Sequence, residues 1–224
     1  MLIVVQLGVL LQALASFSLF FVKVPFTLNY LGTLIGSLGL LFYFLPTRKA
    51  LWFLACSLFW TSAGEFLGQK YGLFFVKYHY VPEAWPAEIS GILPLVVPWI
   101  WFMMLVPSWL IAKSLITRFK IQPSHARIYS PLLTAALMLL WDLILDPLQV
   151  SRGLWVWDKA GPYFGIPWEN FLSWFLGVGI TICCIEWKAT VSHKKSPAEY
   201  WAKILYAGMF FNMIIDVTLS HFSL

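Results

Sequence analysis

Seven stretches of mostly apolar residues, joined by polar connections, run along the chain. A helix needs about 20 apolar residues to cross the hydrocarbon core of a bilayer. The stretches cover about 2–22, 26–45, 50–68, 92–117, 128–148, 168–187 and 201–222. With 60% hydrophobic and 11% charged residues, the chain lacks the polar side chains that cover a soluble domain. We predict an all-α, polytopic transmembrane helix bundle of about seven spans, forming a single domain over residues 1–224.

The basic residues favour one orientation of this bundle. Ten of the 15 Lys and Arg residues fall on the side of the N-terminus. The other five fall on the opposite side, namely Lys23, Lys70, Lys77, Arg152 and Lys159. Because basic residues concentrate in cytoplasmic loops, we predict a cytoplasmic N-terminus, with the lipid bilayer as partner. The bases form no continuous stripe, so the net charge of +5 does not indicate nucleic-acid binding. No feature predicts an oligomeric state.

Four acidic residues of the predicted spans lie at similar depth toward the non-cytoplasmic side, namely Glu65, Asp142, Asp146 and Asp216. An acidic side chain at the centre of a membrane helix costs about 2.5–3.5 kcal/mol on insertion scales, so such residues mark functional sites. The alternative is that each acid sits at a wetted helix end or pairs with Lys or Arg. Their similar depth predicts a cluster near one face of the membrane.

Asp142 and Asp146 are spaced so that both lie on one face of a helix. Two carboxyls that close, in an apolar setting, favour a state in which one keeps its proton beside an ionised partner. Such a pair suits general acid chemistry. Pro147 follows at once, and we expect the helix to break there and open the site. A metal clamp competes with this interpretation, but no His is close in sequence, and we predict no metal.

The segment 151–171 is rich in aromatic residues and turns. Trp155 and Trp157 alternate, which in an extended stretch points both rings the same way. Gly-Pro and Gly-Ile-Pro turns follow, and Asn170 opens the sixth span. One interpretation is an aromatic belt at the membrane interface. The other is a lid whose indole faces stabilise positive charge.

Several of these runs resemble a known family. They are WDLILDP at 141–147, GLWVW at 153–157 and GPYFGIPWENF at 161–171, followed by Trp174. Over about 60–187 the chain resembles the carotenoid 1,2-hydratases of the CruF type, a family of prokaryotic membrane proteins that includes hydratases of gamma-carotene and bisanhydrobacterioruberin. EFLG at 65–68 and ILPLVVPWIWFMM at 92–104 are similar to two further motifs of that family. The stretch FFVKYHYVPEAW at 74–85 departs from the family pattern.

The resemblance implies hydration of a hydrophobic carotenoid at the terminal C1=C2 double bond of an acyclic end group. Protonation at C2 leaves a tertiary cation at C1, which a positioned water captures. No redox cofactor is implied, and the sequence has neither GxGxxG nor a P-loop. Asp142 or Asp146 would be the acid, with the other Asp and Glu65 completing the catalytic set. The residues expected to bind substrate or water are Trp155, Trp157, Tyr163, Asn170, Trp141, Trp174 and Asp216.

Two alternatives stay open from the sequence. An end-group cyclase begins with the same protonation, after which an internal double bond captures the cation instead of water. The mass of the product separates them, because hydration adds one water and cyclisation adds nothing. A carotenoid- or lipid-binding membrane protein would explain the 18% aromatic content, but it leaves the Asp pair without a role.

Overall fold

The computed structural model describes residues 1–18, 27–72, 77–81, 88–89, 93–188, 196 and 198–222. Its helices are α1 (Leu2–Ser18), α2 (Thr27–Phe44), α3 (Thr47–Tyr71), α4 (Val96–Arg118), α5 (Pro123–Ser151), α6 (Trp168–Lys188) and α7 (Ala198–Phe222). Its strands are β1 (Tyr78–Tyr80), β2 (Glu88–Ile89), β3 (Leu93–Pro94) and β4 (Trp155–Trp157). Among the described residues, four helices, α3 to α6, are long and apolar enough to cross a membrane. The predicted all-α bundle is confirmed.

Helix α4 lies at the centre of the bundle, where it packs against α2, α3, α5 and α7. Trp109 and most other side chains on this helix are buried. Pro107 lies within α4 and has no N–H to donate to the carbonyl of Met103. The Ser37 hydroxyl on α2 donates to that carbonyl at 3.0 Å. The neighbouring helix therefore supplies the donor that proline removes.

Helices α1 and α2 touch backbone to backbone. A Cβ added at Gly8 would lie 2.4 Å from the Gly36 nitrogen, and one added at Gly32 would lie 2.6 Å from the Gln12 nitrogen. Small residues at this spacing let membrane helices approach closely. The buried Gln12 amide donates to Thr33 Oγ1 at 3.0 Å and to the Leu205 carbonyl at 3.3 Å. It thereby joins α1 to both α2 and α7.

Helix α5 continues through Pro147 to Ser151, so the predicted break at this proline is wrong. Pro147 cannot donate to the carbonyl of Leu143, four residues earlier. The Tyr163 hydroxyl donates to that carbonyl at 2.9 Å. The loop before α6 satisfies the group that proline leaves without a donor, and the helix has no need to end there.

Two short strands far apart in sequence form a ribbon at one end of the bundle. β1 and β4 pair antiparallel, with Tyr78 opposite Trp157 and Tyr80 opposite Trp155. β2 and β3 form a second antiparallel pair. The β1–β4 ribbon joins the segment after α3 to the segment after α5. It therefore lies beside the ends of the helices that carry the acidic residues.

The opposite end of the bundle holds a buried ion pair. Glu186 Oε1 accepts hydrogen bonds from Lys113 Nζ at 2.6 Å, Trp109 Nε1 at 2.8 Å and Ser130 Oγ at 2.6 Å. These contacts join α4, α5 and α6. Glu186 is 16 residues beyond Asn170 on α6, which corresponds to about 24 Å along the helix axis. The ion pair is therefore remote from the acidic cluster.

Candidate active site

Asp142 and Asp146 form a buried pair on α5, as their spacing predicts, and they are 0% and 2% exposed. Asn170, near the start of α6, donates its Nδ2 to Asp142 Oδ2 at 3.0 Å and to Asp146 Oδ2 at 2.5 Å. Asn170 thereby joins the two carboxyl groups of the pair. The second oxygen of Asp142, Oδ1, has no hydrogen-bond partner among the described residues.

Glu65, near the end of α3, is held by hydroxyl donors from the ribbon. The hydroxyls of Tyr78 and Tyr80 both donate to Glu65 Oε2, the second at 2.8 Å. Trp101 lines the same cavity as this carboxyl group. Residues two apart on a strand share a face, which is why both Tyr rings of β1 reach one carboxyl group. These donors fix the position of the Glu65 carboxyl group beside the ribbon.

The two tyrosines on β1 stay protonated over any ordinary pH. Burial raises the pKa of the Tyr78 and Tyr80 phenols well above the usual value, and the nearby Glu65 charge raises it further. A neutral phenol keeps its O–H available as a donor. Tyr78 and Tyr80 therefore act as fixed donors to the carboxylate, and neither is suited to serve as a base.

The three carboxyl groups influence one another and lack a basic partner in the part of the chain that the structure describes. Charge on Glu65 interacts with both members of the Asp pair. The described ion pairs are His79–Asp158, which is exposed at the edge of the ribbon, and Lys113–Glu186, at the far end. Full ionisation would thus place three uncompensated charges in a buried site, which is costly. Within the same residues, no group of three or more His, Cys, Asp and Glu is placed to hold a metal ion.

A cavity of about 110 Å³ lies beside this cluster, mainly between α3 and α6. Its polar and aromatic lining residues are Trp60, Thr61, Glu65, Tyr78, Trp101, Trp157, Asn170, Ser173, Trp174 and Thr181. The indoles of Trp101 and Trp174 stack, with ring centroids 3.8 Å apart and planes at 19°. Of the three carboxyl residues, Glu65 alone is part of the cavity lining. Asn170 contacts both the cavity and the Asp pair.

The tryptophans of the predicted lid take different places. Trp157 lines the cavity and packs against Tyr78, with ring centroids 4.9 Å apart. Trp155 packs edge-on against Tyr80 at 5.8 Å and is not part of the lining. Each tryptophan of the lid segment thus packs against one of the two Glu65 donors, and Trp157 also faces the cavity.

Three further predicted residues are not part of the cavity wall that the structure describes. Tyr163 donates its hydroxyl to the Leu143 carbonyl on α5. Trp141 is buried against α7, where it contacts the rings of Tyr206 and Phe210. Asp216 falls on α7 beyond the residues whose side chains the structure describes.

The residues of the site that were not predicted from the sequence include Tyr78, Tyr80, Trp101 and Ser173. The alternation of YHY at 78–80 is a usable signal, since it places two hydroxyls on one strand face. Trp101 and Ser173 lie in continuous apolar spans that contain many aromatic and small residues. Nothing local distinguishes them, and their part in the site arises from the packing of α4 and α6 against α3.

Comparison with known proteins gives two matches. The model of a family described as carotenoid biosynthesis protein matches residues 17–223. Bisanhydrobacterioruberin hydratase from Haloarcula japonica is 26% identical over 122 residues, which is 54% of this chain. The aligned segment spans 40% of the length of that relative. No solved structure matches the chain.

Proposed function

The chain belongs to the carotenoid biosynthesis protein family, and from this premise we propose that it is a carotenoid 1,2-hydratase. Its substrate would be an acyclic carotenoid end group, and water would add across the terminal C1=C2 double bond. One observation carries the proposal. Three carboxyl groups converge beside an aromatic cavity, with no basic partner among the described residues. The match to a hydratase supports the same reaction.

The reaction needs a proton donor strong enough for an isolated alkene. The Asp142–Asp146 pair is suited to hold one proton between two buried carboxyls, because the doubly ionised state is disfavoured. Transfer of that proton to C2 uses the alkene electrons to form the new C–H bond. The carbon at C1 becomes a tertiary cation, and the pair is left with one more negative charge.

Glu65 and Asn170 connect this acid to the substrate in our proposal. Asn170 contacts both carboxyls of the pair and lines the cavity, so it lies between the acid and the substrate. In the proposal Glu65 acts as a carboxylate that lines the cavity, where the hydroxyls of Tyr78 and Tyr80 hold it in place. A fixed negative charge at this position stabilises positive charge as it develops at C1.

The aromatic walls of the cavity stabilise the same cation. The stacked Trp101–Trp174 pair and the Trp157 ring present π faces, which attract positive charge. Capture of C1 by water forms the C–O bond, and the released proton returns to the carboxyl cluster, so the site is restored without a cofactor. In this proposal the site lies toward the non-cytoplasmic face of a prokaryotic cytoplasmic membrane, the orientation that the basic residues favour.

The direct test is expression of the chain in a host that accumulates lycopene, followed by mass analysis of the pigments. A hydratase yields pigment heavier than lycopene by one water, or by two if both ends react. New pigment of unchanged mass identifies a cyclase instead. Unchanged lycopene that co-purifies with the chain identifies a binding protein. Either of these two results overturns the proposed reaction.

Tyr80→Phe isolates the contribution of the ribbon donors. The change removes one hydroxyl bonded to Glu65 and keeps the ring that packs against Trp155. A hydrogen bond to a charged group contributes about 1.5–3 kcal/mol, so we expect hydration to fall by about tenfold or more. Initial rates in membranes, normalised to the protein present, measure the effect. Tyr71→Phe on the exposed end of α3 is the control, and equal rates in the two variants would count against Glu65 as a charged participant.

A further inference from the structure

The cavity is elongated along the helix axes. On α6 its lining runs from Asn170 to Thr181, about 16 Å at the rise of an α-helix. On α3 it runs from Gly68 to Trp60, about 12 Å. One end therefore holds the groups that contact the carboxyl cluster. The other end lies deeper along the two helices.

The deeper end reaches the apolar outer surface of the bundle. Trp60 and Ile180 both line the cavity and are 39% and 45% exposed. Phe59 and Leu176 beside them are exposed as well. Exposed apolar side chains in the middle of membrane-spanning helices face lipid. The cavity is therefore a cleft that leads from lipid to the carboxyl groups.

Two glycines lie on the α3 and α6 walls of this cleft. Gly64 on α3 and Gly177 on α6 both line it, and a Cβ added at either would have no neighbouring atom within 4 Å. The hydroxyl of Thr181 donates to the Gly177 carbonyl at 2.8 Å. Its polar group is thus turned toward its own backbone. At Gly64 and Gly177 the walls of the cleft therefore carry no side chain, and the space beside them is open.

We propose that this cleft holds the polyene chain adjacent to the reacting end group, and that Gly64 and Gly177 make room for it. The inference rests on the proposed function, because the occupant is the substrate of that reaction. A linear, apolar, unsaturated isoprenoid fits a narrow slot that joins lipid to an acid site. The end group reaches the carboxyl cluster, while the remainder of the chain stays among the lipid acyl chains. Substrate and product then pass laterally between α3 and α6 without crossing water.

Gly177→Leu tests the proposal, with Gly179→Leu as matched control. Both glycines are on α6 and both have open space where a side chain would begin, but Gly179 does not line the cleft. Each variant is expressed in the lycopene-accumulating host and purified in detergent. Pigment retained per protein is read from visible absorption, and hydrated product from mass analysis. We expect Gly177→Leu to lose about tenfold in both quantities, and Gly179→Leu to match the original chain.

The two readouts separate this inference from the hydratase proposal. Loss of retained pigment in Gly177→Leu alone supports the cleft, even if the original chain forms no hydrated product and the reaction is wrong. If Gly177→Leu retains as much pigment per protein as the original chain, the cleft does not hold the polyene and the proposal is wrong. A cleft that only lipid occupies would give this result. If the original chain neither retains nor hydrates carotenoid, both proposals fail. Should Gly177→Leu not accumulate in membranes, Gly64→Leu makes the same test from the opposite wall.

Discussion

Asp142→Asn and Asp146→Asn are each expected to lower the rate of hydration by about 100-fold or more. A positioned general acid contributes about 10²–10⁴-fold to a rate, and asparagine keeps the shape of the side chain without a transferable proton. Each change also removes the sharing of one proton between two carboxyl groups. The remaining carboxyl next to an amide lacks the repulsion between like charges that favours its protonated state. Hydrated product formed from lycopene in isolated membranes is the measurement.

The controls decide which carboxyl is the acid. Asp158→Asn changes an acid on the exposed ribbon and should leave the rate unchanged. Glu65→Gln removes the carboxyl that lines the cavity itself. If both Asp variants keep full activity while Glu65→Gln loses it, the acid is Glu65 and the Asp pair is not the proton source. Accumulation of each variant in membranes, measured by immunoblot, excludes loss of the protein as the cause.

The helices could be predicted because each carries its own signal. The length of an apolar run sets a membrane span, and the i, i+4 spacing of Asp142 and Asp146 sets a shared helix face regardless of the rest of the chain. The family resemblance at 141–174 is confirmed by the family match. It could be recognised from the sequence because each of its motifs is a continuous run of residues.

The partners of Glu65 could not be predicted, because they arise from pairing between distant segments. Tyr78 reaches Glu65 on a three-residue strand whose partner residue is Trp157. The strand lies in the stretch at 74–85 that departs from the family pattern, so resemblance gave no guide there. The predicted helix break at Pro147 was wrong for a related reason. Its effect on α5 depends on Tyr163, a residue outside the helix.

Glu186→Leu is expected to lower the free energy of unfolding by about 3–5 kcal/mol, the cost of removing one partner from a buried ion pair. Lys113 and Glu186 are only 11% and 12% exposed, so solvent screens this pair little. Leucine leaves the Lys113 ammonium without a partner and removes the acceptor of Trp109 and Ser130. The change is measured as the apparent Tm in detergent, which is determined from the loss of the monodisperse peak in size-exclusion chromatography after heating. Glu169→Leu, an exposed acid on the same helix, should stay within about 0.5 kcal/mol.

The double variant Lys113→Met with Glu186→Leu separates the cost of an unpaired charge from the value of the pair. Apolar residues of similar size often replace a buried ion pair without loss, so most of the lost stability should return. Because the pair lies about 24 Å from Asn170 along α6, the folded double variant should also hydrate at the original rate. A double variant as unstable as Glu186→Leu would mean that the hydrogen bonds of Trp109 and Ser130 hold α4, α5 and α6 together. A stable double variant with lost activity would mean that this end of the bundle sets the geometry of the carboxyl cluster through α6.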